Sequence, residues 1–466
     1  VNNKQHNRLL LVLFIGVLMA ALDIAIVGPA LPTIRNHFNL DDRAATWLFT
    51  TYVLFHLIGT PLMAKLSDTY GRRAIYIADL LIFGAGSLLV ALAPTYWILI
   101  LGRGIQGFGS GGIFPVASAV IGDTFPPEKR GSALGLIGMV FGLAFIIGPI
   151  IGGVLLLFGW RWLFAINLPI LAVVLIMAPP LLPNTHPDTR QPFDWPGMVS
   201  LTIILSFLTY SFNQIDAANF WNSLFSARVG IPLTLAILLL PIFIRLEQRA
   251  ADPIIHLRLF KSRQLVLAGL LAVGGGLGES AVVFIPALAI AAFAVSESTA
   301  SFLLMPLVLA LAVGAPTAGK LLDRRGSKMV IGLGTSLLAV GMLGLGFWGN
   351  YWAAFIPATI LIGLGLSALL GAPIRYIMLS EARPEDRAVA QALIAIQTGV
   401  GQLISGASVG AIVASFGGGI GGYSTAYAIV GTVAIVMALL SLGLKNRSSE
   451  LTTMTRNSTS TSTAEV

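Results

Sequence analysis

Fourteen long apolar runs divide this chain: 9–34, 45–64, 74–93, 96–121, 131–157, 162–182, 196–213, 227–246, 264–293, 299–320, 328–348, 351–379, 387–415 and 423–444. A helix crossing the hydrocarbon core of a bilayer needs about 20 such residues, because every backbone amide must be satisfied inside the segment. The runs are too long for barrel strands and lack their alternation. With 56% hydrophobic and 10% charged residues, a soluble globule of this length would have no way to wet its surface. The chain therefore reads as an all-α integral membrane protein. The first run, with Lys4 and Arg8 before it, is too long for a signal-peptide core, and thirteen more follow.

Lys and Arg set the orientation. With the amino terminus placed in the cytoplasm, 22 of the 28 lie in cytoplasmic loops or tails. Arg35, Arg43, Arg161 and Arg228 lie outside, and Arg103 and Arg375 within spans. An even number of spans then puts both termini in the cytoplasm. The net charge of +8 thus serves the membrane and does not point to nucleic acid. The tail after residue 446 is polar, low in complexity and reads as disordered. The chain has no Cys, and its five His residues have no metal-ligand spacing, so no metal or cofactor is expected. It shows neither H-E-x-x-H nor a Walker loop, which argues against an enzyme and against ATP as the energy source.

The chain repeats itself. "KLSDTYGRR" (65–73) matches "KLLDRRGSK" (320–328), with Asp68 and Asp323 offset by 255 residues. "PPEKRGSALG" matches "RPEDRAVAQA", with Arg130 and Arg387 offset by 257, and Pro29 and Pro286 share that offset. This gives two homologous six-helix halves, 1–182 and 248–446, a two-helix insert, 183–247, and a tail, 447–466. Parallel repeats of this kind build transporters that rock about a midplane site between the halves.

Polar residues inside the spans are the functional candidates, because a charge in the bilayer core costs at least ~2.5–3.5 kcal/mol. Asp23 stands in span 1, six residues before Pro29, and Glu279 in span 9, seven before Pro286. Burial penalises the charged form of a carboxylate, so such groups can take up and release protons. A structural hydrogen bond to a neighbouring helix is the plainer reading of each. Glu279 suits a proton, a cationic substrate or both. His56 and Gln106 are further candidates for a cavity wall. Arg375 stands six residues before Glu381, with a snorkelling role equally open. Gln391, Thr398 and Gln402 recur on one face of span 13, where they line a cavity or join helices. Asp79, about 9 Å into span 3, is assigned to the loop network of Arg72 and Arg73.

Several motifs carry a resemblance. "KLSDTYGRR", "RGIQGFGSG" (103–111), "AFIIGPIIGG" (144–153), "WRWLFAINLP" (160–169) and "LDIAIVGPALP" together resemble the major facilitator superfamily, most closely its fourteen-span drug:proton antiporter branch. The match departs from the branch pattern at Ala64, Ala144, Ala25 and Gly28. The resemblance implies the major facilitator fold, with two extra helices between its halves. It implies that Arg103 lies near Asp23 and takes part in proton coupling, and the repeat adds Glu279 as the corresponding acid of the second half. It also implies a conformational latch at Asp68, Gly71, Arg72 and Arg73, with a weaker copy at Asp323 and Arg324. Gly148, Pro149, Gly152 and Gly153 correspond to the antiporter motif. The function expected is proton-coupled export of amphipathic or cationic small molecules, such as drugs, by a monomer in the bacterial cytoplasmic membrane. An exporter of lipids or glycolipids with the same fold is the alternative.

Overall fold

The computed structural model describes residues 3–125, 127–183, 193–251, 253–381, 387–450 and 452. Among them every regular element is helical: α1 Asn3–His37, α2 Asp42–Tyr70, α3 Arg72–Leu92, α4 Tyr96–Thr124, α5 Pro127–Leu156, α6 Arg161–Ala165, α7 Asn167–Leu181, α8 Trp195–Gln214, α9 Phe220–Leu224 and α10 Ala227–Arg249, then a 3-10 turn at Leu257–Lys261. The second part of the chain forms α11 Arg263–Val282, α12 Ile285–Phe293, α13 Glu297–Phe302, α14 Met305–Arg325, α15 Ser327–Trp348, α16 Trp352–Leu370, α17 Ala372–Glu381, α18 Arg387–Ser415 and α19 Gly419–Ser441. Thirteen helical segments among the described residues are long and apolar enough to cross a membrane. The expected fifth span, 131–157, coincides with α5 to within a few residues.

Four expected spans are interrupted. The sixth breaks at Ile166, between α6 and α7. The ninth and tenth break just before Pro286 and Pro306, which stand in the first turns of α12 and α14. Proline has no amide to donate, so it is tolerated at a helix start and disfavoured further in. The twelfth breaks at Gly371, ahead of Pro373. By contrast α1 runs unbroken through Pro29 and Pro32.

The chain divides into two compact units, residues 1–207 with 250–254 and 295–302, and residues 208–249 with 255–294 and 303–466. The dividing line passes within α8, inside the expected insert. The short α13, which follows α12 in sequence, packs in the first unit against α5 and α1.

In the first unit α4 lies between α2 and α3. Its glycines allow this. A methyl group on Gly107 would overlap the Tyr52 carbonyl of α2, and one on Gly109 would come within 2.5 Å of the Phe83 amide of α3. In lipid the apolar surface has nothing to gain by leaving solvent, so close van der Waals packing of small residues carries helix association. In the second unit α15 packs against α16 and α19, and α11 against α18.

The structure corrects the tail expectation at its start. Arg447 to Glu450 are helical, and Glu450 is buried. The Glu450 carboxylate accepts bonds from the amide and hydroxyl of Ser327, the first residue of α15. Arg447 donates to the Asp323 carbonyl at 3.1 Å and to the Tyr376 hydroxyl at 2.9 Å. A carboxylate satisfies the unpaired amides of a helix start, and that orders these four residues. The rest of the expected tail, 451 and 453–466, lies outside the described residues.

Overpacking at the α2–α4 contact is expected to be costly, because the clash is with backbone. Gly107→Val should lose about 1–3 kcal/mol and lower the apparent unfolding temperature in detergent by several degrees. Gly122→Ala, whose added methyl meets nothing beyond its own helix within 4 Å among the described residues, should not lower it.

Candidate functional site

Asp23 sits in the middle of α1 with no solvent exposure. Its Oδ2 accepts a bond from Arg103 Nη1 at 2.6 Å, and its Oδ1 accepts from Gln106 Nε2 at 2.7 Å and Asn167 Nδ2 at 2.9 Å. Arg103 and Gln106 are three residues apart on α4 and so share a face. They also bond each other, Nη1 to Oε1, at 2.6 Å. Gln106 Nε2 reaches Ser87 Oγ of α3 at 2.9 Å. Three helices, α1, α4 and α7, therefore meet at one carboxylate, and α3 joins them through Ser87.

Arg103 is wholly buried too. Its Nε donates to the Leu48 carbonyl of α2 at 3.0 Å. Its guanidinium lies 4.2 Å from the Tyr52 ring centroid and 5.5 Å from that of Phe164. Aromatic faces attract a desolvated cation by up to ~2 kcal/mol, which offsets the lack of a partner at Nη2. Opposite charges held this closely satisfy each other where water is excluded.

Asn167 and Ser87 are members the sequence reading missed. Both are polar residues within apolar runs, which is the available signal. Asn167 owes its place to the break at Ile166, which starts α7 there.

In the second unit the acid of span 9 has a simpler setting. Glu279 is partly buried near the carboxyl end of α11, and its Oε2 accepts a bond from Gln402 Nε2 of α18 at 2.9 Å. Thr398, one turn earlier, presents its carbonyl closely to Gly276. Gln391 instead donates to the Arg375 carbonyl at 3.0 Å, and the Arg375 side chain is exposed. The span 13 residues thus divide, with Gln402 at the acid and Gln391 elsewhere. His56 pairs its Nδ1 with Ser110 Oγ at 2.9 Å and stacks on Tyr52, whose ring also lies under Arg103. It makes no bond to the Asp23 cluster among the described residues.

At the turn before α3, Gly71 has φ of +96°, a backbone conformation that side chains resist. Arg72 forms an ion pair with Asp68, and it donates to Ser67 Oγ at 2.7 Å and to Asp123 of α4 at 3.0 Å. Asp123 is a third member of this charged cluster that the motif comparison did not include. Arg73 is partly exposed. At the second copy the side chains of Asp323 and Arg324 are exposed, and the contacts run through the Asp323 backbone instead.

Gly148, Pro149, Gly152 and Gly153 form a surface for close packing. A methyl on Gly148 would come within 2.6 Å of Ala25 Cβ of α1, and one on Gly153 within 2.9 Å of Phe302 of α13. Ser301 donates to the Pro149 carbonyl and Ser298 to the Gly153 carbonyl, each at 2.7 Å.

Breaking the buried pair should cost far more than trimming its neutral donors. Arg103→Ala strands the Asp23 charge and should lose about 3–5 kcal/mol. Asn167→Ala removes one bond to a charged acceptor and should lose about 1.5–3 kcal/mol. In a double-mutant cycle with Asp23→Asn, Arg103→Ala should cost much less. Equal costs in both backgrounds, read by unfolding titration in detergent, would show that the two charges are not coupled.

The family model "Major Facilitator Superfamily" matches residues 13–278 and 268–462. The chain is 34% identical over 396 residues to "Uncharacterized MFS-type transporter YfiU" of Bacillus subtilis, covering 83% of this chain and 76% of that one. It is 32% identical over 384 residues to "Multidrug transporter protein MdtP" of the same organism, covering 81% and 70%. Among solved structures it resembles a bacterial homolog of the human lysosomal transporter Spinster, inward-facing and occupied, with a TM-score of 0.68 at 15% identity over 98% of this chain and 99% of that one. That likeness concerns the fold alone. The apolar helices, the buried charges and the family match agree: this chain belongs to the Major Facilitator Superfamily and is a membrane transporter.

Proposed function

We propose that the protein is a proton-coupled exporter of amphipathic or cationic small molecules, working by alternating access as a monomer in a bacterial cytoplasmic membrane with both termini in the cytoplasm. The observation that carries this reading is the buried Asp23 with its three donors on α4 and α7. As an anion, the carboxylate uses both oxygens. A proton taken up at Oδ2 would displace Arg103 Nη1, which keeps the Gln106 oxygen and the Leu48 carbonyl as alternative acceptors for the guanidinium. Proton binding is thereby exchanged for movement of a cation and of the helix that carries it. Glu279, with a single amide donor, serves as the acid of the second half and attracts cationic cargo. The Asp68–Arg72–Asp123 cluster acts as the latch, held in one state and broken in the other. Relatives named for multidrug transport support a cargo of amphipathic compounds.

The test uses proteoliposomes with an imposed proton gradient and a panel of cationic dyes and fluorescent lipids. Wild type should drive dyes uphill, and Asp23→Asn should abolish uphill movement while the protein still folds and inserts. Uphill export by Asp23→Asn would refute the role given to Asp23. Movement of lipids without dyes would establish the lipid-exporter reading instead.

A further inference from the structure

A second carboxyl in the first unit is buried without any of the support that Asp23 has. Asp79, on α3, is 0% exposed, and among the described residues neither of its oxygens has a hydrogen-bond partner. The carboxyl group lies flat against Gly112 of α4, and a methyl on that glycine would overlap all three of its terminal atoms. On the same face one turn earlier, Tyr76 is also wholly buried with an unpaired hydroxyl, close to Gly16 of α1.

The sequence assigned Asp79 to the charged loop beside it, but the structure separates the two. Arg72 spends its donors on Ser67, Asp68 and Asp123. On α4, Arg103 is committed to Asp23, Gln106 and Leu48, and lies nine residues, about 13 Å, from Gly112. Asp123 lies farther along α4 on the opposite side of Gly112 and binds Arg72. On α2 the charged groups are Asp42, Arg43, Lys65 and Asp68, with His56 paired to Ser110, and on α6 Arg161 donates to the Ala93 carbonyl. On α1, His6 contacts the Thr124 carbonyl and the Phe125 ring. Arg35 of α1 pairs with Asp42 of α2, and His37 and Arg8 of α1 and Arg73 of α3 are further titratable groups among the described side chains. None of these is bonded to Asp79. A bare carboxylate in such a site is untenable, because nothing replaces its lost hydration.

We propose that Asp79 is a proton-binding site distinct from Asp23, occupied by a proton in this conformation and emptied when the contact between α3 and Gly112 of α4 opens to water. The same helix carries Arg72 at its start, so breaking the Arg72–Asp123 pair would loosen this contact first. The use of this proton in transport rests on the coupling proposed above, whereas its presence on Asp79 does not.

Infrared difference spectroscopy on the purified full chain reads the proton directly. A carboxylic acid C=O band that shifts in heavy water should be present in wild type and Asp23→Asn, and lost in Asp79→Asn. Dicyclohexylcarbodiimide, which reacts with protonated carboxyls in apolar surroundings, should label wild type at Asp79, as mapped by peptide mass. A band that survives Asp79→Asn unchanged, together with no label at Asp79, overturns the proposal. In proteoliposomes, Asp79→Asn should move fewer protons per substrate than wild type. An unchanged proton count with the band lost overturns the emptying step. Proton-independent export by wild type with the band present would overturn the coupling and leave the site.

Discussion

The pairing of Asp23 with Arg103 governs the first unit. Two full charges without solvent exposure are tolerable only if most of their lone pairs and donors are satisfied and their faces covered, and that requirement reaches into six helices. Gln106 and Asn167 occupy the second carboxylate oxygen, Ser87 holds the amides, Leu48 accepts from the guanidinium, and Tyr52 and Phe164 cover its face. A network of this kind holds the helices to one rotation about their axes.

Bringing the donors close enough demands backbones in near contact. Gly107 and Gly109 put α4 against α2 and α3 where any side chain would hold them apart. The same contacts seal Asp79 against Gly112. Close packing and charge burial are thus one design in this unit, with the glycines of α4 serving both. The second unit is built differently. Its Glu279 has a single amide donor and retains some exposure, so the two halves share a repeat in sequence without sharing the electrostatics of their acids. The breaks at Val283 and Phe284, directly after Glu279's helix, have no counterpart after Asp23, although both helices carry the repeated proline.

Much of the architecture was legible beforehand, because the membrane reduces folding to a count. Apolar runs of sufficient length must be helices, and most expected spans coincide with observed helices to within a few residues. The interruptions at Ile166 and Gly371 were not legible, since local sequence alone does not say which helix ends are compensated by neighbours. The motif residues split in the same way. Asp23, Arg103 and Gln106 were recognisable and do meet. Gln391 and Arg375 were grouped as cavity candidates, and the Gln391 side chain donates to the Arg375 backbone carbonyl. Glu450 looked like part of a featureless tail, and only its contact with Ser327 shows why it is ordered.

By itself, then, the sequence determined that the chain lives in a bilayer, that its loops repeat a pattern and that a few charges must be hidden among its helices. Hydrophobic length, repeat offset and residue type are all local properties. Which groups neutralise those charges was decided by the tertiary structure alone. Asp23 finds its partners 80, 83 and 144 residues away. Asp79, despite Arg73 only six residues before it, finds none among the described residues. Contact between helices depends on their rotation and on distances of a few ångströms, and those are set by packing across the whole unit.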